Sequence, residues 1–551
     1  MQFDPLKPTL AIYGIKDIKN SGYPVFVHDH NISFFNSGLL NKHVQLERLT
    51  RKKFDNSLDC YLNKLLKTEK LIDAEFDIVF VDNVIGRAFI SDDGQIRFEG
   101  PVRFELSDSL ETGRCWWFGK EREAYVLNHE LAHIYSCLPF FGNFKENSLL
   151  VHFDGGASHS NFSAWTYKNK SLKKLEAHWD LKYLSSLYNA NALAFAIIGA
   201  NEFDQHSVPG KLMGFASFGR YSSEMEEWLS KNDYFQNIWG KKSVFFEKVK
   251  RDWNINLQSF DQHNSFIQNI AATFQYVFQR DFVKKIKELK MQTSSEYLYL
   301  TGGSALNILA NTEIIGQNIF KDVFIPPCTN DSGLSVGAGA YLEQQKHGQV
   351  EQHSPYLNNW CLSETELKYT PDDIEEAVEY LIQKKVIAVC NGFGESGPRA
   401  LGNRSILALA DSKQQAKKVS EEHKKREWYR PVAPIMLERN VKYFTGLNDI
   451  NHLSKYMLLD FKVLEDKVKE IEGVVHVDGT SRIQTIFNRA ENPYIYDLLK
   501  LLDEKHDIKA LINTSFNIKG EPIVHTTEDA LRSATNMHLD GLVINGKFQR
   551  L

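Results

Sequence analysis

Val151-His152-Phe153-Asp154-Gly155-Gly156 reads as an apolar strand that delivers an aspartate into a glycine turn. Two transitions of the same kind follow it. Strand-like Glu296-Tyr297-Leu298-Tyr299-Leu300 runs into Thr301-Gly302-Gly303, and Asp331-Ser332-Gly333 opens the small-residue run Leu334-Ser335-Val336-Gly337-Ala338-Gly339. Glycine lets backbone N–H groups approach phosphate oxygens, and aspartate can hold a metal or its water. Gly155, Gly302 and Gly303 are therefore candidate nucleotide-binding positions.

One such loop is ordinarily just a turn. Several strand-to-glycine transitions in one domain form the pattern of an actin-like ATPase fold, where such hairpins clasp a nucleotide between two lobes. A Walker sequence G-x-x-x-x-G-K-[ST] is absent, which disfavours a P-loop NTPase. Further upstream, Phe76-Asp77-Ile78-Val79-Phe80-Val81 reads as another short strand. The stretch 170–300 is mainly helical by pattern, with a helix expected over Leu257–Gln279.

The 551 residues exceed one ordinary core, so two or more domains are expected. The composition shifts near 341–369, a polar stretch with a Ser-Pro break that reads as a connection. Beyond it, Pro371-Asp372-Asp373 opens an amphipathic helix, and Val386-Ile387-Ala388-Val389-Cys390 reads as a buried strand ending in a glycine loop. The expected organisation is a mixed α/β chain with domains at 1–355 and 356–551.

The formal net charge of −5 argues against a protein that coats nucleic acid, and no window approaches a membrane span. Cysteines 60, 115, 137, 328, 361 and 390 form no C-x-x-C pair, which disfavours thiolate-held zinc. The N-terminus has no secretory pattern, so a cytoplasmic enzyme is expected.

His129-Glu130-Leu131-Ala132-His133 places two imidazoles at i and i+4, on one helix face, where both can reach one metal ion. The string also matches the zinc-protease pattern H-E-x-x-H, with Glu130 as general base. The bland alternative is one capped and one surface histidine. Asp154 supplies a possible third ligand.

A third group is basic. Arg399 and Arg404 lie in the glycine-rich segment 394–405, Lys424, Lys425, Arg426 and Arg430 crowd 424–431, and Arg482 follows Asp478-Gly479-Thr480-Ser481. Asn513-Thr514-Ser515-Phe516-Asn517 adds hydroxyl and amide groups. Arginine forks grip phosphate bidentately and lysine adds a point charge. Set among Gly, Pro and Trp rather than on a Lys/Glu helix face, these cations suggest a shaped anion pocket.

The chain resembles the O-carbamoyltransferase family of antibiotic and nodulation-factor biosynthesis, nearly end to end. The residues that carry the resemblance are His28-Asp29, Glu47-Arg48-Leu49-Thr50-Arg51-Lys52-Lys53, and the runs at 210–219, 301–311, 326–339, 397–405, 424–434 and 513–524. It implies an N-terminal actin-like domain and a C-terminal YrdC-like domain. The latter would make carbamoyl-adenylate from carbamoyl phosphate and ATP, releasing pyrophosphate. The former would transfer the carbamoyl group to a hydroxyl of a small-molecule natural product.

The resemblance assigns His129, His133, Asp154 and Asp331 to a divalent metal, Fe2+ first with Zn2+ or Mn2+ as alternatives, and pairs Mg2+ with ATP. It assigns His28 and Lys53 to the transfer site, and Arg399, Lys424, Arg430, Arg482, Asn513 and Ser515 to the carbamoyl phosphate and adenylate pocket. Glu130 inside the histidine pair, and His30 and Asn31 after Asp29, depart from the family pattern. No nucleic acid or membrane partner is expected, and a homodimer is the default assembly. The rival readings are a zinc metalloprotease using Glu130 and a non-catalytic nucleotide- or tRNA-binding protein.

Overall fold

Two sheets built around the same five-strand order make the first lobe. In one, Leu39–Gln45, Asn31–Asn36 and Thr9–Tyr13 run antiparallel, and Asp77–Val81 and Lys120–Leu127 continue in parallel from Thr9–Tyr13. In the other, Ser171–His178, Phe162–Lys168 and Ser148–Phe153 are antiparallel, and Tyr297–Thr301 and Asp322–Phe324 continue in parallel. This duplicated topology is the actin-like fold, and no sequence period announces it. The structure is a computed structural model and describes residues 3–16, 27–102, 105–189, 191–200, 202–236 and 242–551.

Helices His129–Tyr135 and Leu334–His347 pack between the two sheets. Leu131, Ala132 and Ile134 share a core with Val336, Ala338 and Ala340, Ala11 and Val79 of the first sheet, and Leu150 and Tyr299 of the second. Close approach depends on Gly337, where a Cβ would stand 1.7 Å from the Ala132 carbonyl oxygen. The small-residue run after Asp331 is thus a helix built for close packing rather than a phosphate loop.

The expected strands at Asp77–Val81 and Tyr297–Thr301 are present. The long helix runs over Ser265–Thr293, later than its periodicity suggested, because the Asn264 side chain caps it by accepting from the Phe266 N–H. The stretch 341–369 is only partly a connection. Its first residues finish the helix Leu334–His347, whose Tyr341 and Leu342 are buried in the hydrophobic core between the sheets.

The second lobe is built on a seven-stranded mixed sheet that includes Ile387–Cys390, Arg404–Leu409 and Leu511–Ser515. Helices Pro371–Ile382 and Pro493–His506 cover one face through Ile374, Val378, Leu381, Leu498 and Leu502. The lobes are stitched together at a sheet edge. Tyr356–Asn358 pairs with Leu39–Gln45 on one side and Gly394–Glu395 on the other. The Asn358 side chain accepts from Gln45 N–H at 2.9 Å and donates to the Glu395 carbonyl at 2.6 Å. Among the described residues, no helix is long and apolar enough to cross a membrane.

Candidate active site

The short helix His129–Tyr135 starts at Asn128, whose side chain accepts from Leu131 N–H, so both histidines leave the same face at its first turns. Their Nε2 atoms stand 3.1 Å apart. Asp331 reaches them from the N-terminal end of the crossing helix: its Oδ1 lies 3.5 Å from both Nε2 atoms. Asp154 closes the group from the second sheet, with Oδ2 at 3.5 Å from His133 Nε2. Tyr13 donates to Asp331 Oδ2 at 2.9 Å and fixes that carboxylate.

These four residues fit a divalent metal. Donors sharing an ion with bonds of about 2.1 Å stand roughly 3–4 Å apart; here the two imidazole Nε2 atoms are 3.1 Å apart, Asp331 Oδ1 is 3.5 Å from each, and Asp154 Oδ2 is 3.5 Å from His133. Two carboxylates beside two neutral imidazoles also balance a dication. Burial would otherwise leave like charges facing each other. Burial raises the Asp331 carboxyl, but His129 and His28 outweigh it and hold the group well below its ordinary range.

The glycines expected to cradle phosphate act on Asp154 instead. Gly155 N–H donates to its Oδ1 and Gly303 N–H to its Oδ2, each at 2.5 Å. Gly302 N–H is taken by the Thr329 carbonyl at 2.9 Å, and its φ of +89° lets it pass against the Phe153 backbone. All three positions orient the aspartate loop, and their N–H groups are already spent.

Glu130 is buried and faces the loop after Asp154. Its carboxylate accepts from Ser158 Oγ at 2.5 Å, from Ser160 Oγ and N–H at 3.0 Å, and from His159 N–H at 2.8 Å. Four donors leave it no freedom to act as a protease base. His30 is likewise core, its ring edge-on to Tyr13 at 5.5 Å. Asn31 is a clamp that donates to the carbonyls of Asp29 and Asp331 and accepts from Ser335 N–H.

A cavity of about 460 Å³ runs from this centre to the second lobe. His28, Asp154, Gly155, Gly303 and Asp331 line one end; Arg399, Arg426, Arg430 and Ser515 line the other; Lys53 lies on the same wall. His28 shares a 3.1 Å contact with Asp29 and lies against His206, ring centroids 3.9 Å apart and planes tilted by 47°. Burial lowers the His28 pKa, but the carboxylates of Asp331 and Asp29 prevail and raise it to about 9. Lys53 arrives because its segment grips the other lobe. Arg48 donates to the Gly397 carbonyl, and Arg51 donates to the carbonyls of Ile523 and Pro522.

The arginine end carries more positive charge than its own acids offset. Burial, then repulsion by Arg482, Arg430 and Arg426, pulls the Arg399 guanidinium far below its ordinary pKa. Arg482 is pulled to about 10 by burial and Arg430. Arg399 Nε and Arg482 Nε are buried without protein partners. Glu427 is shared among Lys211 at 3.2 Å, Lys519 at 3.0 Å and Arg430 at 3.5 Å. Such a cluster favours an incoming polyanion.

Lys424 does not reach this cavity. Its fully buried ammonium donates to the backbone carbonyls of Ser515 and Asn517 and to the Asn517 side-chain oxygen at 3.0 Å. Arg426, two residues on in the same basic run, is the cavity residue that the family resemblance did not assign; it donates to Thr514 Oγ1 at 3.0 Å and Ser515 Oγ at 2.9 Å. Asn513 lies beneath the wall, donating to Gln484 Oε1 and the Ala400 carbonyl. Asn513 thus supports the pocket from behind its lining, and Arg482 is not among the lining residues. Tyr13 was missed too, and only its partner Asp331 could have pointed to it.

The family profile described as "Carbamoyltransferase N-terminus" matches residues 112–340, and "Carbamoyltransferase C-terminus" matches 378–550, together most of the chain. The nodulation protein NolO of Bradyrhizobium diazoefficiens is 28% identical over 440 residues, spanning 76% of this chain and 78% of the relative. The nodulation protein NolNO of Sinorhizobium fredii is 26% identical over 553 residues, spanning 94% and 78%. Full-length HypF in its phosphate- and nucleotide-bound form overlaps 62% of this chain and 56% of its own at 12% identity and a TM-score of 0.34, too loosely to add to the topology. The fold, the two ends of the cavity and the two family matches agree: the chain belongs to the carbamoyltransferase family and is a carbamoyltransferase.

Proposed function

We propose that the chain is an ATP-dependent O-carbamoyltransferase that makes carbamoyl-adenylate in its second, YrdC-like lobe and passes the carbamoyl group to a hydroxyl of a small-molecule natural product in its first. The observation that carries this reading is the continuous cavity, anionic-ligand-seeking at one end and built around His28, Asp154 and Asp331 at the other. A carbamoyl mixed anhydride is hydrolysable, and an enclosed passage keeps it from water.

At the basic end, Arg399, Arg426 and Arg430 bind the phosphate groups of carbamoyl phosphate and ATP and stabilise charge as it develops. Ser515 adds a hydroxyl held in place by Arg426. Water takes the phosphoryl group of carbamoyl phosphate, releasing phosphate and carbamate; a carbamate oxygen then attacks the α-phosphate of ATP, and pyrophosphate departs. Lys53 steadies the adenylate phosphate as the carbonyl is presented to the other end.

His129, His133, Asp154 and Asp331 would hold a divalent metal, Fe2+ by family resemblance, which supplies Lewis-acid polarisation of the carbonyl when bound. His28 takes the proton of the acceptor hydroxyl. Asp29 orients the ring, and neutralising Asp331 removes the largest contribution that raises its pKa. The acceptor oxygen then bonds to the carbamoyl carbon, and AMP departs.

The test is pyrophosphate release from ATP that depends on carbamoyl phosphate. The Arg430→Ala protein is expected to lose it while retaining its metal. A normal rate in that variant would refute the pocket assignment.

A further inference from the structure

The strand Ser148–Phe153 brings a third imidazole to the pair on the helix. His152 and Asp154 are two residues apart, and the ladder continues past the strand end through Asp154 N–H to the Asn161 carbonyl at 2.9 Å. Alternate strand residues share a face, so both turn toward the same side. The His152 ring is fully buried and stacks on His133 with centroids 5.0 Å apart. Its Nδ1 lies 3.2 Å from the hydroxyl of Ser163, its cross-strand neighbour, and its Nε2 is buried with no partner.

Donor atoms of His133, His152 and Asp154 lie within 4.8 Å of one another, as do those of His129, His133 and Asp331. The two sets meet at one atom: Asp154 Oδ2 and Asp331 Oδ1 each stand 3.5 Å from His133 Nε2. An imidazole nitrogen has one lone pair, so that atom serves one ion. The sets therefore meet at a single ion position beside His133 Nε2, which the two groups of donors flank.

We propose that His152 is a direct donor to the metal held by His129, His133, Asp154 and Asp331, so that this chain binds its ion through three imidazoles and two carboxylates. The proposal rests on the metal reading of the first lobe. With Nδ1–H donated to Ser163 Oγ, the tautomer is fixed and the Nε2 lone pair is turned to the ion. A set rich in nitrogen selects Fe2+, Co2+ or Zn2+ over Mg2+ and Ca2+.

X-ray absorption on the zinc-loaded full chain counts imidazoles without any substitution, and three are expected. In chelator competition, His152→Gln is expected to weaken Zn2+ binding by more than about 100-fold and to lower the count to two. Ser163→Ala, which only loosens the ring, is expected to cost about 10-fold and keep three. Loaded protein with two imidazoles, or wild-type affinity in His152→Gln, would overturn the proposal alone. A chain that takes up no metal would overturn the metal reading and this proposal with it.

Discussion

Replacing Glu130 separates a structural acid from a catalytic one. In Glu130→Gln the amide oxygen can still accept from the N–H groups of His159 and Ser160, while the Ser158 hydroxyl turns to accept from the new NH2. What is lost is the charge on those bonds. Bonds to an ionised acceptor contribute about 1.5–3 kcal/mol and neutral ones about 0.5–1.5, so the two backbone bonds together lose roughly 2 kcal/mol. Glu130→Ala orphans two N–H groups and two hydroxyls, at about 1–3 kcal/mol for each buried group, and should cost roughly 4 kcal/mol or more. Guanidinium unfolding of the metal-loaded proteins measures the difference as a shift in midpoint at unchanged slope. Turnover and metal content of the folded Gln variant should stay within several-fold of the parent. A variant of unchanged stability that loses activity by orders of magnitude would refute the reasoning, because that is the signature of a general base.

Arg426→Ala should raise the KM for the anionic substrates at least 10-fold with little loss of stability, whereas Lys424→Met should lower stability, since it orphans the carbonyls of Ser515 and Asn517; steady-state kinetics and thermal melts on both variants check the contrast. Burial lowers the Lys53 pKa, Glu47 opposes this in part, and Arg430, Arg426 and Lys211 add to it, leaving the group at about 8. The charged form binds anions, so affinity for inorganic pyrophosphate should fall as pH rises through about 8; titration calorimetry in Lys53→Arg should show that limb displaced to higher pH. A methyl at Gly337 would sit 1.7 Å from the Ala132 carbonyl oxygen and push the Asp331 helix off the histidine helix. Gly337→Ala should therefore lose bound metal, measured by elemental analysis, along with about 1–3 kcal/mol of stability.

Local features of the site were legible because they depend on spacing alone. The i, i+4 histidines and the strand ending in Asp154 stand in the structure as their patterns imply. Asp331 is brought to them by a helix crossing that no local pattern encodes; only the family resemblance supplied it. The glycines misled for a physical reason. Gly337 admits a neighbouring helix backbone, and Gly155 and Gly303 orient a carboxylate, but in sequence both uses look like phosphate loops. Lys424 and Arg426 belong to one basic run, and which of them faces the cavity depends on a turn that buries the lysine against Ser515 and Asn517. His152 was hidden in a strand of mostly apolar core residues, where a histidine gives no signal of its own.

The most direct test of the account is the partial reaction of the second lobe, followed with full-length, metal-loaded protein, ATP and carbamoyl phosphate in the absence of any acceptor. Pyrophosphate should form only when carbamoyl phosphate is present, and should cease in the Arg430→Ala protein. Folded, metal-loaded protein that releases no pyrophosphate under any of these conditions would contradict it.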